Sequence, residues 1–137
     1  MARLRALLEN LPEAASIDTG SARAFAAAAR SSLQLGRADD AVALGRAALT
    51  LEPGNARAWS VVGDALWAQG QVHEARAAYQ TALNFDDKDL ATALSCARAQ
   101  LADGDAPAAR ALLSFVLLKS HSDELTQLAA ELLDALP

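Results

Sequence analysis

The stretch that decides the fold is residues 56–89, ARAWSVVGDALWAQGQVHEARAAYQTALNFDDKD. Apolar residues recur at three- and four-residue spacing on both sides of Gly70: Trp59, Val62 and Leu66 before it, and Ala75, Ala78 and Ala82 after it. This spacing is typical of amphipathic helices, and glycine tolerates the left-handed backbone that ends many helices. The stretch therefore predicts a hairpin of two antiparallel helices.

The same pattern occurs three times along the chain with a period of 34 residues. Gly36, Gly70 and Gly104 mark the three turns, and each is followed five residues later by an alanine. A fixed period of this length indicates stacked structural repeats. We predict units over residues 22–55, 56–89 and 90–123. The third unit lacks the early aromatic residue and the closing proline, so its boundary is marked less clearly.

Helices and helix ends are also predicted outside and between these units. Residues 2–11 resemble a short helix, and residues 124–136 form an amphipathic pattern that suits a helix capping the last unit. Within the array, Asn55 and Asp89 are placed to cap the first helices of the second and third units. Pro107 fits the first turn of a helix, where no intrahelical donor is lost.

Composition favours an all-α protein and argues against several functions. Alanine occupies 35 of the 137 positions, and it is the strongest helix former. The net charge of -5 predicts no binding to nucleic acid, and no apolar run reaches the length of a membrane span. A single cysteine, Cys96, cannot form an internal disulfide, so we expect a cytoplasmic protein without membrane insertion.

No residue pattern indicates catalysis, a metal site or a cofactor. His73 and His121 are far apart in sequence and lack metal-ligand spacing, so we expect both at the surface. Cys96 falls on a core position, which favours a buried thiol over a reactive one. The aspartates at 86, 87 and 89 lack the glycine and glutamate of a calcium loop, and helix ending explains them better. We predict a protein that is not an enzyme.

In period and residue pattern the chain resembles the tetratricopeptide repeat (TPR) over residues 22–123. The residues of the central unit that carry this resemblance are Trp59, Val62, Gly63, Leu66, Gly70, Ala75, Tyr79 and Ala82. The resemblance implies one domain over residues 1–137, built as a right-handed superhelical array of three helical hairpins with a carboxyl-terminal capping helix. It also implies that Trp59 and Tyr79 pack between helices.

The same resemblance implies a concave groove lined by the second, fifth, ninth and twelfth positions of each first helix. We expect a partner's peptide segment, carrying acidic and apolar groups, to bind there. Two alternatives stay open: the groove arginines could simply pair with nearby carboxylates, and Trp67 could belong to the core. A structural adaptor or assembly subunit is the alternative function. The candidate groove residues are Arg23, Arg30, Arg57, Asp64, Trp67, Leu94, Arg98 and Leu101.

Two subfamilies can be compared with the sequence. The TPR proteins that bind heat-shock-protein tails use lysine and asparagine at the fifth and ninth positions of the first unit, where this chain has Ala26 and Arg30, which argues against that function. A narrower resemblance is to the bacterial chaperones that hold type III secretion translocators, and it implies a cytoplasmic location and is compatible with a homodimer. It rests on VGDALWAQGQVHEARAAYQTALNFDD (62–87), ALSCARAQLADGD (93–105) and ELTQLAAELLDAL (124–136).

Overall fold

The computed structural model describes residues 19–136, which form seven α-helices. No β-strand occurs in this range, so the all-α prediction is confirmed. The helix predicted over residues 2–11 lies outside the described residues. In chain order the helices are α1 (Thr19–Gln34), α2 (Ala38–Leu51), α3 (Ala56–Ala68), α4 (Val72–Phe85), α5 (Leu90–Ala102), α6 (Ala106–Lys119) and α7 (Asp123–Asp134).

Each of the three hairpins turns at one of the predicted glycines. Gly36, Gly70 and Gly104 have positive φ angles of 79°, 79° and 85°, a conformation that L side chains rarely adopt. In the central turn, the amide of Gln71 donates to the carbonyl oxygen of Leu66 at 2.9 Å, as in the Schellman motif that ends helices at a glycine. The glycine period therefore predicted the turns correctly, because each turn needs a residue with positive φ and glycine adopts it without strain.

The predicted helix caps are also present. The side chain of Asn55 accepts a hydrogen bond from the amide of Ala58 at 3.0 Å, and that of Asp89 accepts from the amide of Thr92 at 3.1 Å. These bonds satisfy amides that the first turn of a helix leaves without a partner. Pro107 lies in the first turn of α6, as its missing amide hydrogen suggested.

Small residues set the distance between the two helices of a hairpin. The alanines that follow the turn glycines, Ala41, Ala75 and Ala109, are fully buried. A Cβ atom added at Gly63 would lie 2.7 Å from ring carbons of Tyr79, so α3 and α4 approach too closely for a side chain there. The core therefore depends on close helix contact more than on large side chains.

The hairpins stack so that alternate helices form one layer. Every helix packs against the next along the chain, and in addition α1 contacts α3, α3 contacts α5 and α5 contacts α7. We call α1, α3 and α5 the groove layer, because the candidate groove residues lie on these helices. Helix α7 continues this layer beyond the third hairpin.

The amphipathic segment at the carboxyl-terminal end caps the array as predicted. Helix α7 begins after Ser122, whose hydroxyl accepts from the amide of Leu125, and it buries Ala129 completely. Its apolar side covers the core of the third hairpin, which includes Leu113 and Val116. The α7 side chains that pack against this core are Leu125, Leu132, Leu133 and Leu136.

Across residues 19–136, none of the helices combines the length and the apolar character that crossing a bilayer would need.

Candidate groove on the first helices

The candidate groove residues differ widely in their contact with water. A helix of the groove layer packs with one side against its hairpin partner, so only part of its surface reaches solvent. Arg23, Arg57 and Arg98 are exposed; Arg30, Asp64, Trp67 and Leu101 are half-buried; and Leu94 is buried. The exposed set consists entirely of cations, so water-accessible charge dominates this surface.

Arg30 is neutralised by a carboxylate on the neighbouring helix. Its Nη1 atom lies 2.6 Å from Oδ2 of Asp64, the residue at the same position one repeat later. The hydroxyl of Tyr79 donates to the other carboxylate oxygen of Asp64. Burial, and then this hydrogen bond, raise the pKa of Tyr79, so the phenol stays protonated and holds the carboxylate in place. For Arg30, pairing with a nearby carboxylate is the correct alternative.

Arg57 and Arg98 behave differently from Arg30. Neither forms an ion pair or a side-chain hydrogen bond with any other residue of the range 19–136. Both guanidinium groups are therefore available to an anionic ligand, and a guanidinium presents a planar fork that matches a carboxylate. The exposed positive charge of the groove layer is therefore carried by arginines such as these two, whereas Arg30 is paired with Asp64.

Ser60, at the fifth position of the second unit, joins two helices instead of facing a ligand. Its hydroxyl lies 2.8 Å from that of Thr92 on α5, and both side chains are buried. Thr92 donates its hydroxyl hydrogen to Asp89 at 2.6 Å, so Ser60 must be the donor to Thr92. A short series of hydrogen bonds, from Ser60 to Thr92 to Asp89, thus connects α3 with α5 in the groove layer.

The apolar candidate residues near the ends of the groove helices are only partly exposed to solvent. Trp67 packs against the central core cluster, and Leu101 packs against the core of the third hairpin, yet both keep some contact with water. Trp67 therefore packs against the core while part of its side chain stays exposed to water. Tyr79 is buried in the central core and Trp59 packs against it, as predicted.

Leu94 forms the floor of a cleft that the sequence pattern did not indicate. The cleft has a volume of about 240 Å³ and lies between α5 and α7. The Leu94 side chain is only 5% exposed and packs in the core, so it contributes a surface at the bottom and no protruding anchor. We call this the carboxyl-terminal cleft, and its lining residues are Leu94, Arg98, Leu128, Glu131 and Leu132.

An ion-pair network outside the groove was also not indicated by the sequence. Arg76 on α4 binds Asp103 at 3.1 Å and Asp105 at 2.7 Å, and His73 lies 3.2 Å from Asp103. The hydrogen bond from His73, followed by that from Arg76, lowers the pKa of Asp103. The bond from Arg76 similarly lowers the pKa of Asp105, which also caps α6. This network connects the second hairpin with the turn of the third.

The residues considered for chemistry lie where the sequence predicted them. His73 and His121 are exposed, and Cys96 is a buried free thiol. Burial raises the pKa of Cys96 to about 11, which keeps the sulfur protonated and unreactive near neutral pH. Within the described part of the chain, no three His, Cys, Asp or Glu side chains come together as metal ligands would.

Comparison with known proteins agrees with the repeat architecture. Residues 32–95 match the family model of the tetratricopeptide repeat. No curated protein sequence gives a significant match. The alternating helical hairpins, their 34-residue period and this match define the fold of residues 19–136 as a tetratricopeptide-repeat array.

Solved structures with this fold include type III secretion chaperones. The translocator chaperone SycD of Yersinia enterocolitica has a TM-score of 0.81 at 21% identity, covering 88% of this chain and 86% of SycD. SycD in complex with a peptide of the translocator YopD has a TM-score of 0.79 at 21% identity, covering 88% and 95%. The first TPR of Spaghetti (RPAP3), bound to the HSP90 peptide SRMEEVD, has a TM-score of 0.75 at 14% identity, covering 87% and 100%. At these identities the likeness establishes the fold.

Proposed function

We propose that the protein is a non-enzymatic binding module that holds a peptide segment of a partner protein against the groove layer. The observation that carries this proposal is the pair of exposed arginines, Arg57 and Arg98, which have no ion-pair partner among residues 19–136. They lie on adjacent helices of one layer, which also carries the half-buried Trp67 and Leu101. A layer with both cations and apolar side chains suits a segment that carries both carboxylates and apolar side chains.

The partner class we propose is a protein held before export, as by the type III secretion chaperones. Support comes from the sequence resemblance and from the common fold of SycD, which binds a translocator peptide. The RPAP3 complex shows that the fold also suits an HSP90 peptide. Here the fifth position of the first unit is Ala26, which is fully buried, and Arg30 at the ninth is already paired. We therefore favour the chaperone function, in the cytoplasm, over tail binding.

The proposal is tested by selecting peptides on the purified full chain. A displayed library of random twelve-residue peptides is panned, and the enriched peptides are synthesised and titrated by fluorescence anisotropy. We expect the enriched peptides to contain acidic and apolar residues, and Arg57→Glu or Arg98→Glu to weaken binding by about 10- to 100-fold.

Arg46→Glu is the matched control for this titration, because Arg46 is an exposed arginine on α2, outside the groove layer. It makes the same change of charge and should leave affinity within about twofold of wild type. If wild type and both groove reversals bind the peptides equally, the groove layer is not the binding surface and the proposal is wrong.

A second candidate function, that of an assembly subunit, is favoured by apolar side chains on α6. Leu118 is 79% exposed and Phe115 is 37% exposed, whereas one repeat earlier the equivalent residues are Asn84 and Thr81. Sedimentation velocity at increasing protein concentration tests this alternative. Self-association that Leu118→Asp abolishes would support assembly through α6, and a monomer at all concentrations would remove the argument for it.

A further inference from the structure

Helix α7 supplies one wall of the carboxyl-terminal cleft, in addition to covering the last hairpin. Leu128 and Leu132 of α7 and Leu94 of α5 give the cleft an apolar lining, and Leu128 keeps 39% of its surface exposed. A covering role alone requires α7 to bury its apolar side chains. Leu128 therefore differs from the α7 side chains that pack on the core, because part of its surface at the edge of the cleft stays accessible.

The charges of the cleft repeat an arrangement found elsewhere in the molecule. Asp64, Arg98 and Glu131 each lie nine residues after the N-cap of their helix, on α3, α5 and α7. Between α1 and α3, the corresponding arginine and carboxylate are joined at 2.6 Å. Between α5 and α7, Arg98 and Glu131 line the same cleft but form no ion pair.

Of these two cleft charges, Arg98 is the one left open to a ligand. Glu131 accepts a hydrogen bond from Gln127 of its own helix at 3.2 Å. Arg98 has no side-chain hydrogen bond within residues 19–136. Arg98 presents a guanidinium without a partner, whereas Glu131 already accepts one hydrogen bond, so we infer that the ligand group in this cleft is a carboxylate bound by Arg98.

The size of the cleft limits what can enter it. Its volume of about 240 Å³ is below the range of roughly 300–1,000 Å³ of typical small-molecule pockets. It exceeds the roughly 150 Å³ of an apolar cavity that accepts benzene. One branched or aromatic side chain of a peptide fits this space, while a cofactor-sized molecule does not.

We propose that the carboxyl-terminal cleft is a specificity pocket in which α7 and Leu94 enclose one apolar side chain of the partner while Arg98 binds a carboxylate beside that side chain. This inference rests on the proposed function, because the partner segment has to reach the cleft along the groove layer. It adds a role for α7 in recognition, and it defines one element of the recognised sequence as an apolar residue next to an acidic one.

Disulfide trapping tests the cleft without knowledge of the partner. Leu128→Cys introduces a thiol at the edge of the cleft, and the native Cys96 is buried and protonated, so it does not compete. Three cysteamine disulfides serve as probes: one carries an isobutyl group alone, one an isobutyl group with a carboxylate, and one an isobutyl group with an ammonium. Labelling is measured by intact-protein mass spectrometry under mild reducing conditions.

Ser114→Cys, at an exposed position of α6, is the control for intrinsic reactivity of the probes. Relative to this control, Leu128→Cys should prefer the carboxylate probe over the ammonium probe by about fivefold, a preference typical of a single solvent-accessible ion pair. Arg98→Gln combined with Leu128→Cys should remove the preference. If thermal melting shows that Leu128→Cys is unfolded, the exposed Glu131→Cys is used instead, and its probe ratio is compared with and without Arg98→Gln, because this change also removes a carboxylate of the cleft.

Two results would overturn the inference: the same probe ratio at positions 128 and 114, or a carboxylate preference that survives Arg98→Gln. Either result, together with peptides whose binding is lost in Arg57→Glu, would leave the proposed function standing and remove only the pocket. If no peptide binds the groove layer at all, the proposed function fails on that ground, whatever the probes show.

Discussion

Equivalent positions at the two ends of the groove layer, which α7 continues, carry charges that are paired at one end and unpaired at the other. Between α1 and α3, Arg30 and Asp64 are paired, and the hydroxyl of Tyr79 from α4 completes the site. Between α5 and α7, Arg98 and Glu131 face one cleft without pairing. The first junction is closed by its own charges, whereas the second keeps charge and apolar surface open. Repeats of one architecture can therefore differ in whether their equivalent charges are paired.

The largest expected effect is that of deleting α7, which forms one side of the second junction. Deletion of residues 124–137 would expose the core of the third hairpin, including Leu113 and Val116. We expect aggregation, with a loss of stability greater than the roughly 3 kcal/mol of one buried leucine. Soluble yield and thermal melting followed by circular dichroism measure the effect. A truncated chain that remains soluble with an unchanged melting temperature would show that α7 does not cap the array.

Replacing two leucines of the cleft with alanine should change the free energy of unfolding by very different amounts. Leu94 is buried in the core, so Leu94→Ala should cost about 2–4 kcal/mol of unfolding free energy. Leu128 is partly exposed, so Leu128→Ala should cost less than about 1 kcal/mol. Urea denaturation of the two variants provides the comparison. Equal losses would mean that Leu128 belongs to the core and does not form an accessible wall.

The paired and the unpaired carboxylate can be compared directly. Asp64→Ala leaves Arg30 and the hydroxyl of Tyr79 without their partner, and it should cost about 1–2 kcal/mol, since the site is partly solvated. Glu131→Ala removes an exposed carboxylate and should change stability by less than about 0.5 kcal/mol. Urea midpoints decide the matter, and similar effects of both substitutions would contradict the difference between the two junctions.

The smallest expected effect is a decrease in the free energy of unfolding at high pH. It depends on Tyr79, the single tyrosine of the chain. Burial, and then the bond to Asp64, raise its pKa above the unfolded value of about 10. The unfolded state then loses its proton first, so this contribution is complete below about pH 10 and falls as the pH rises further.

Between pH 9 and 11, wild type should therefore lose about 1 kcal/mol more stability than Tyr79→Phe, which cannot ionise. Urea unfolding of both proteins at each pH measures the difference. Parallel curves for the two proteins would show that the hydroxyl of Tyr79 is not held protonated in the folded state.

Local interactions explain why so much of the fold could be predicted. The turns at Gly36, Gly70 and Gly104 need only a backbone that accepts positive φ, and the caps at Asn55 and Asp89 reach an amide three residues away. Such features depend on neighbours in sequence. The buried alanines follow equally from the helical period, because each hairpin must bury one side of each helix.

The groove was predicted less completely, because its properties arise between helices. The sequence placed the arginines on the first helices, but it did not indicate that Arg30 is paired while Arg57 and Arg98 are not. That difference depends on which side chains of adjacent helices come within hydrogen-bond distance. Ser60 likewise falls on a predicted groove position, the fifth of its unit, but its hydroxyl is bonded to that of Thr92, 32 residues away.

The sequence by itself thus determined the hairpins, their period, the caps and the capping role of α7, because each follows from spacing along one chain segment. Only the tertiary structure decided which charges are satisfied, that Leu94 forms a floor, and that α7 encloses a cleft with α5. The physical reason is that a charge or an apolar surface is open or closed according to what packs against it. In a stacked array that neighbour is supplied by another helix about one repeat away.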